Sequence, residues 1–208
     1  VSRESITGLR IAAVIGFPCA VGMSILAKPI LFLFYSGSYT AEHLTIAGKL
    51  LQMSAMTIGM FTMVQATSGI LQGCGKQRIP MYTLLAGVAC KVLLNFLLVR
   101  IPALNIHGAP IGTLVCFALT AILNLIAVSR AASFRLNYPG YFLRPLLASL
   151  AMAFTARGVY ALCAHLLLSE GSGRGMLLLC VGAAIAVAVV VYAVLVLALR
   201  ILTRDDLA

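Results

Sequence analysis

"RIPMYTLLAGVACKVLLNFLLV", residues 78–99, is long enough to cross a bilayer as a helix, yet it carries Lys91 near its middle and Asn95 one helical turn later. A bilayer core about 30 Å thick takes about 20 helical residues at about 1.5 Å each. By that rise, Lys91 lies about 16 Å along a helix that begins at Pro80. A lysine at the centre of a span costs about 2.5 to 3.5 kcal/mol even on the permissive insertion scale, and its four-carbon stem reaches the headgroups with difficulty from there. The expectation is a wet cavity or a polar network around Lys91.

The rest of the chain has the same character. It is 62% hydrophobic and only 10% charged, with a mean hydropathy of +1.08, where a soluble domain carries about a quarter charged residues. Six runs are long and apolar enough to span, at approximately 8–35, 47–71, 80–99, 108–128, 143–168 and 175–201. The fold class is therefore all-α: one integral membrane helical bundle of six transmembrane helices. The first run contains Pro18 between Gly16 and Gly22, then Lys28-Pro29, which predicts a bend or break with Pro18 as the hinge. It is too long for a signal peptide and lacks a cleavage site. A chain that opens on Val1 is expected to be an excerpt of something longer.

The formal charge of +10 comes from Lys and Arg placed singly between apolar runs, without the basic stripe of a nucleic-acid surface, so no nucleic-acid partner is expected. Charge instead orients the chain. "GCGKQRIP" carries Lys76 and Arg78, and "SRAASFRLNYPGYFLR" carries Arg130, Arg135 and Arg144. The alternate loops are nearly neutral, apart from Arg100, so positive-inside reasoning places both termini in the cytoplasm. The six cysteines show no CxxC spacing and the three histidines lie far apart, so neither a metal site nor a cofactor is expected. All five acids lie outside the helix cores, and no nucleophile–base constellation points to an enzyme.

Three consecutive runs carry polar or small residues at helical spacing. The second has Ser54, Thr57, Gln65, Ser68 and Gln72, with Phe61 filling the gap. On the third, Gly87, Lys91 and Asn95 are four apart, as are Gly108, Gly112, Cys116, Thr120 and Asn124 on the fourth. The stripes are expected to converge, either on a substrate cavity or as packing seams in which small residues let helices approach. Lys91, Asn95, Gln65, Asn124 and Gln72 are the cavity candidates. Arg157, on the fifth run among Thr155 and Tyr160, is a snorkelling residue or a lipid-headgroup contact. The sixth run has no polar side chain beyond Cys180 and Tyr192 and is expected at the periphery.

The succession "GFPCAVGMSILAKPILFLFYSG", "SGILQGCGKQRIPM", "KVLLNFLLV" and "IHGAPIGTLVCFALTAILNLI" resembles the later part of the stage V sporulation protein B-like polysaccharide and lipid-linked oligosaccharide flippases. These belong to the multidrug/oligosaccharidyl-lipid/polysaccharide exporter superfamily. The resemblance covers roughly residues 1–165 and is weak in the last two helices. It implies a fourteen-helix protein of which this chain supplies the last six. Residues 1–135 would be four helices of the C-terminal lobe and residues 136–208 two additional helices, with the N-terminal lobe as the missing partner. It further implies a bacterial cytoplasmic membrane protein that moves an undecaprenyl-linked saccharide by alternating access, with surrounding lipids as its other partners. Lys91 would then attract the pyrophosphate. The competing readings are a cation-coupled exporter of the same superfamily and a non-transporting scaffold.

Overall fold

The computed structural model describes residues 2–35, 37, 39–101, 105–131, 138–167 and 174–199. It contains six long helices: α1 (Ser2–Tyr35), α2 (Ala41–Gly73), α3 (Arg78–Leu98), α4 (Gly108–Ala131), α5 (Tyr138–Leu167) and α6 (Arg174–Ala198), with a 3₁₀ turn at Asn105–His107. All six are long and apolar enough to cross a membrane, and there is no strand among the described residues. The chain is an all-helical membrane bundle.

The helix limits follow from local chemistry. The α2–α3 turn, the centre of "QGCGKQRIP", is a Schellman closure. The Lys76 N–H donates to the Leu71 carbonyl at 2.9 Å, and the Gly75 N–H donates to that of Gln72, also at 2.9 Å. Gly75 adopts φ +73°, a left-handed conformation that glycine tolerates without steric cost. Gln77 then occupies the N-cap position of α3 without a side-chain capping bond, and Pro80 sits in the first turn, where a missing N–H breaks no helical bond.

Two expectations need correction. Helix α1 runs unbroken through both Pro18 and Pro29, so of the expected bend or break the break is absent. Helix α2 begins at Ala41 rather than near residue 47, because hydropathy marks the lipid-immersed part of a helix and Glu42, His43 and Lys49 lower it where the backbone is already helical. Arg135, expected in a basic loop, lies outside the described residues.

The chain folds as two compact units. One comprises Val1–Gly16 and Met56–Phe142, and the other Phe17–Ala55 and Leu143–Ala208. In the first, Leu9, Ala13, Met63, Val64, Leu71, Ala121 and Val128 are buried, and Gly16 lies against Thr62, with a Cβ added there 2.9 Å from the Thr62 Cβ. In the second, the Ser24 hydroxyl donates to the Gln52 carbonyl at 3.2 Å, and Met152, Ala156 and Ala188 form a core against which Tyr192 packs. Each unit places close-approaching helices at small residues, as membrane helices require when lipid gives them no hydrophobic drive to associate.

Candidate functional site

The polar residues of the first unit meet along α3 and α4. Helix α4 buries Gly108, Gly112, Cys116, Thr120, Asn124 and Val128, a row at every fourth position. Against it lies the α3 row Thr83, Gly87, Lys91, Asn95, the same stripe read from the sequence extended by one turn to Thr83. A Cβ added at Gly87 would collide with Thr120 Oγ1 and lie 2.9 Å from the Cys116 carbonyl oxygen. One added at Gly112 would collide with Asn95 Oδ1 and lie 3.2 Å from the Asn95 Cγ. At Gly108 it would lie 2.9 Å from the Leu98 Cβ. Three glycines, one on α3 and two on α4, thus set the separation of the pair.

Asn124 ties this pair to α2. It is fully buried. Its Nδ2 donates to Ser68 Oγ at 3.1 Å and to Thr67 Oγ1 at 3.3 Å, while its Oδ1 accepts from Thr83 Oγ1 at 2.5 Å. Thr67 in turn donates to the Met63 carbonyl at 2.7 Å, and Thr120 to that of Cys116 at 2.8 Å. Both ends of the asparagine amide are engaged, so this is a saturated network, the form in which buried polar groups specify packing. Thr67 was not legible as a member, because it sits one position off the Gln65–Ser68–Gln72 stripe and shares no period with it.

The remaining candidates occupy different surroundings. Lys91 is half-buried, beside Cys116. Asn95, one turn on, is half-buried, and its Oδ1 is enclosed against Gly112 without a hydrogen-bond partner among the described residues. Gln65 and Gln72 are exposed, as is Phe61, whose ring meets Phe117 edge-on at 5.2 Å. The second-helix stripe therefore does not join the α3–α4 seam as a whole; Ser68 does, and Gln65 and Gln72 do not. Arg157 and Pro18 lie in the second unit, Arg157 exposed on α5 and Pro18 half-buried within α1. The opposite side of α3 exposes Leu85, Val92, Leu93 and Phe96, and only 6% of its apolar window is buried, the least of the six spans.

A lysine beside a glycine-spaced polar seam, on a helix otherwise clothed in apolar side chains, is an arrangement for a membrane interior. The family model described as MatE matches residues 1–97. This match falls within the superfamily to which the sequence resemblance points. The chain is 33% identical over 127 residues, 60% of its length, to the uncharacterized membrane protein YabM of Bacillus subtilis, covering 22% of that protein. It is 30% identical over 117 residues, 56% of its length, to the lipid II flippase MurJ of the same organism, covering 21% of it. The chain thus spans about a fifth of the length of the curated relatives it matches. The match and these relatives, with the six helices able to span a bilayer, support a multi-pass membrane protein.

Proposed function

We propose that the protein containing this chain is a flippase that moves a lipid-linked saccharide precursor across the bacterial cytoplasmic membrane by alternating access, with both termini of this segment in the cytoplasm. The observation that carries the reading is Lys91, a half-buried cation in the middle of α3 at the edge of the polar seam. A charge there is costly unless it meets water or an anion. The pyrophosphate of an undecaprenyl-linked sugar supplies that anion, and Asn95 offers a neighbouring amide to the same ligand or to the lysine. Asn124 serves the seam rather than the substrate, since its amide is already bonded at both ends. The similarity to a lipid II flippase supports the choice of substrate class.

The test separates charge from stem length. In the full-length protein, Lys91→Met keeps most of the apolar stem, and complementation of a flippase-deficient strain should fall at least about tenfold at equal membrane expression, equivalent to about 1.4 kcal/mol. Lys91→Arg should retain partial activity. Full complementation by the methionine variant would remove Lys91 from the substrate path. The MatE match is equally compatible with a cation-coupled exporter of small molecules. Co-purification of an undecaprenyl-linked lipid with the intact protein favours the flippase; its absence, with export of a small cationic compound, favours the exporter.

A further inference from the structure

The second unit holds a cavity of about 570 Å³ that the flippase reading does not use. Lys28 from α1 and Arg157 from α5 both line it, together with Tyr160 and Gln52. No carboxylate is among its lining residues that the structure describes. Two cations brought to one cavity without a counter-ion repel each other, the more so where lipid lowers the local dielectric. Such a pair is stable when an anion sits between them.

The lysine is steered there. A Cβ added at the buried Gly48 on α2 would lie 2.8 Å from the Lys28 Cγ, so the glycine opens the track along which the lysine stem passes. Ser24 donates its hydroxyl hydrogen to the Gln52 backbone carbonyl, and Tyr160 and Gln52 are the neutral polar residues that line the cavity beside it. The rest of the wall, including Leu26, Phe32, Ala161 and Leu177, is apolar. Lys28 lies about 10 Å before the end of α1 and Arg157 about 15 Å before the end of α5, depths at which a cation is costly unless it meets water or an anion.

We infer that this cavity is a binding site for the phosphate of an anionic glycerophospholipid, held by Lys28 and the Arg157 fork with an acyl chain along the apolar wall. Arginine suits the role because its planar donors engage two phosphate oxygens at once. The inference is independent of the flippase reading, because a resident phospholipid is not the transported cargo.

The full-length protein, purified in detergent and titrated with phosphatidylglycerol in native mass spectrometry, tests it. Wild type should retain one tightly held phosphatidylglycerol, and the double substitution Lys28→Gln with Arg157→Gln should weaken that binding about tenfold or more. The charge-preserving exchange Lys28→Arg with Arg157→Lys should stay near wild type. Gly48→Leu, which keeps both cations but evicts the lysine stem, should lower affinity without changing net charge. Lys76→Gln, an equal loss of charge in the exposed α2–α3 turn, should have no effect. Unchanged binding in the double variant overturns the site, as does an equal loss in Lys76→Gln. Displacement by millimolar inorganic phosphate would make this a free-anion site instead, and displacement by equimolar undecaprenyl phosphate would assign it to a polyprenyl lipid; either result overturns the glycerophospholipid assignment.

Discussion

The α3–α4 pair and the α5–α6 pair solve the same packing problem with different chemistry. Both bury a row at every fourth position. On α4 the row is Gly108, Gly112, Cys116, Thr120, Asn124 and Val128; on α6 it includes Cys180, Ala184, Ala188 and Val196. The α4 row meets glycines from the other helix and closes on a hydrogen-bonded asparagine. The α6 row meets Ala156 and Met152 of α5, and Tyr192 is hydrogen-bonded to Ser149. Small size alone brings helices together in a membrane, whereas a saturated polar cluster also specifies which residues must face each other.

The sharpest way to break this contrast is to fill the seam. Gly87→Leu and Gly112→Leu insert atoms where Thr120 and Asn95 already lie. Each should destabilise the full-length protein by at least the ~1–3 kcal/mol typical of overpacking, seen as a lowered thermal midpoint in detergent. Gly182→Leu on α6, where an added Cβ meets nothing within 4 Å, should leave the midpoint unchanged. Equal loss in all three would mean that the glycines act through the helix backbone and not through the seam.

A smaller effect comes from removing the polar tie while keeping its bulk. Asn124→Leu deletes three hydrogen bonds and takes the amide donor from Ser68 and Thr67, while Thr83 falls back on its bond to the Pro80 carbonyl. The expected loss is about 1–2 kcal/mol, the upper part of the range for interhelical bonds in membranes. Thermal unfolding measures the cost, and cysteine cross-linking between α2 and α4 should show a loosened register. A neutral result would mean that the glycine rows alone define the packing.

The smallest effect is expected at the α5–α6 tie. Ser149→Ala removes the partner of Tyr192, but Ser149 spends its own hydrogen on the Pro145 carbonyl at 2.7 Å, within its own helix. About 0.6 kcal/mol or less should be lost, the average for such a bond. A cost as large as that of Asn124→Leu would erase the distinction between the two pairs.

The six spans and the α3–α4 stripe were legible in the sequence because both are periodic or cumulative. Twenty apolar residues announce a span wherever they occur, and glycine, lysine and asparagine at every fourth position share one face of any helix. The burial of the α6 row was hidden for the opposite reason. Alanine and valine look alike whether they face lipid or protein, so nothing in residues 175–198 separated the row through Ala184 from its exposed neighbours Ile185 and Val189. Thr67 was missed because a single threonine has no period. Gln65 and Gln72 stood on a polar stripe and lie exposed in this chain, because a stripe defines a face without naming what that face meets.

What the sequence determined by itself was the helical, membrane-spanning character of the chain, the turn at Gly75 and the rows able to pack closely, since these depend on side chains within one helix or one turn. The tertiary structure alone decided which rows meet. It set Gly87 against Thr120, closed Thr67, Ser68 and Thr83 around Asn124, and brought Lys28 and Arg157 from distant helices into one cavity. The physical reason is that hydropathy and helical periodicity are properties of a single segment, whereas steric fit and the pairing of charges belong to the space between segments.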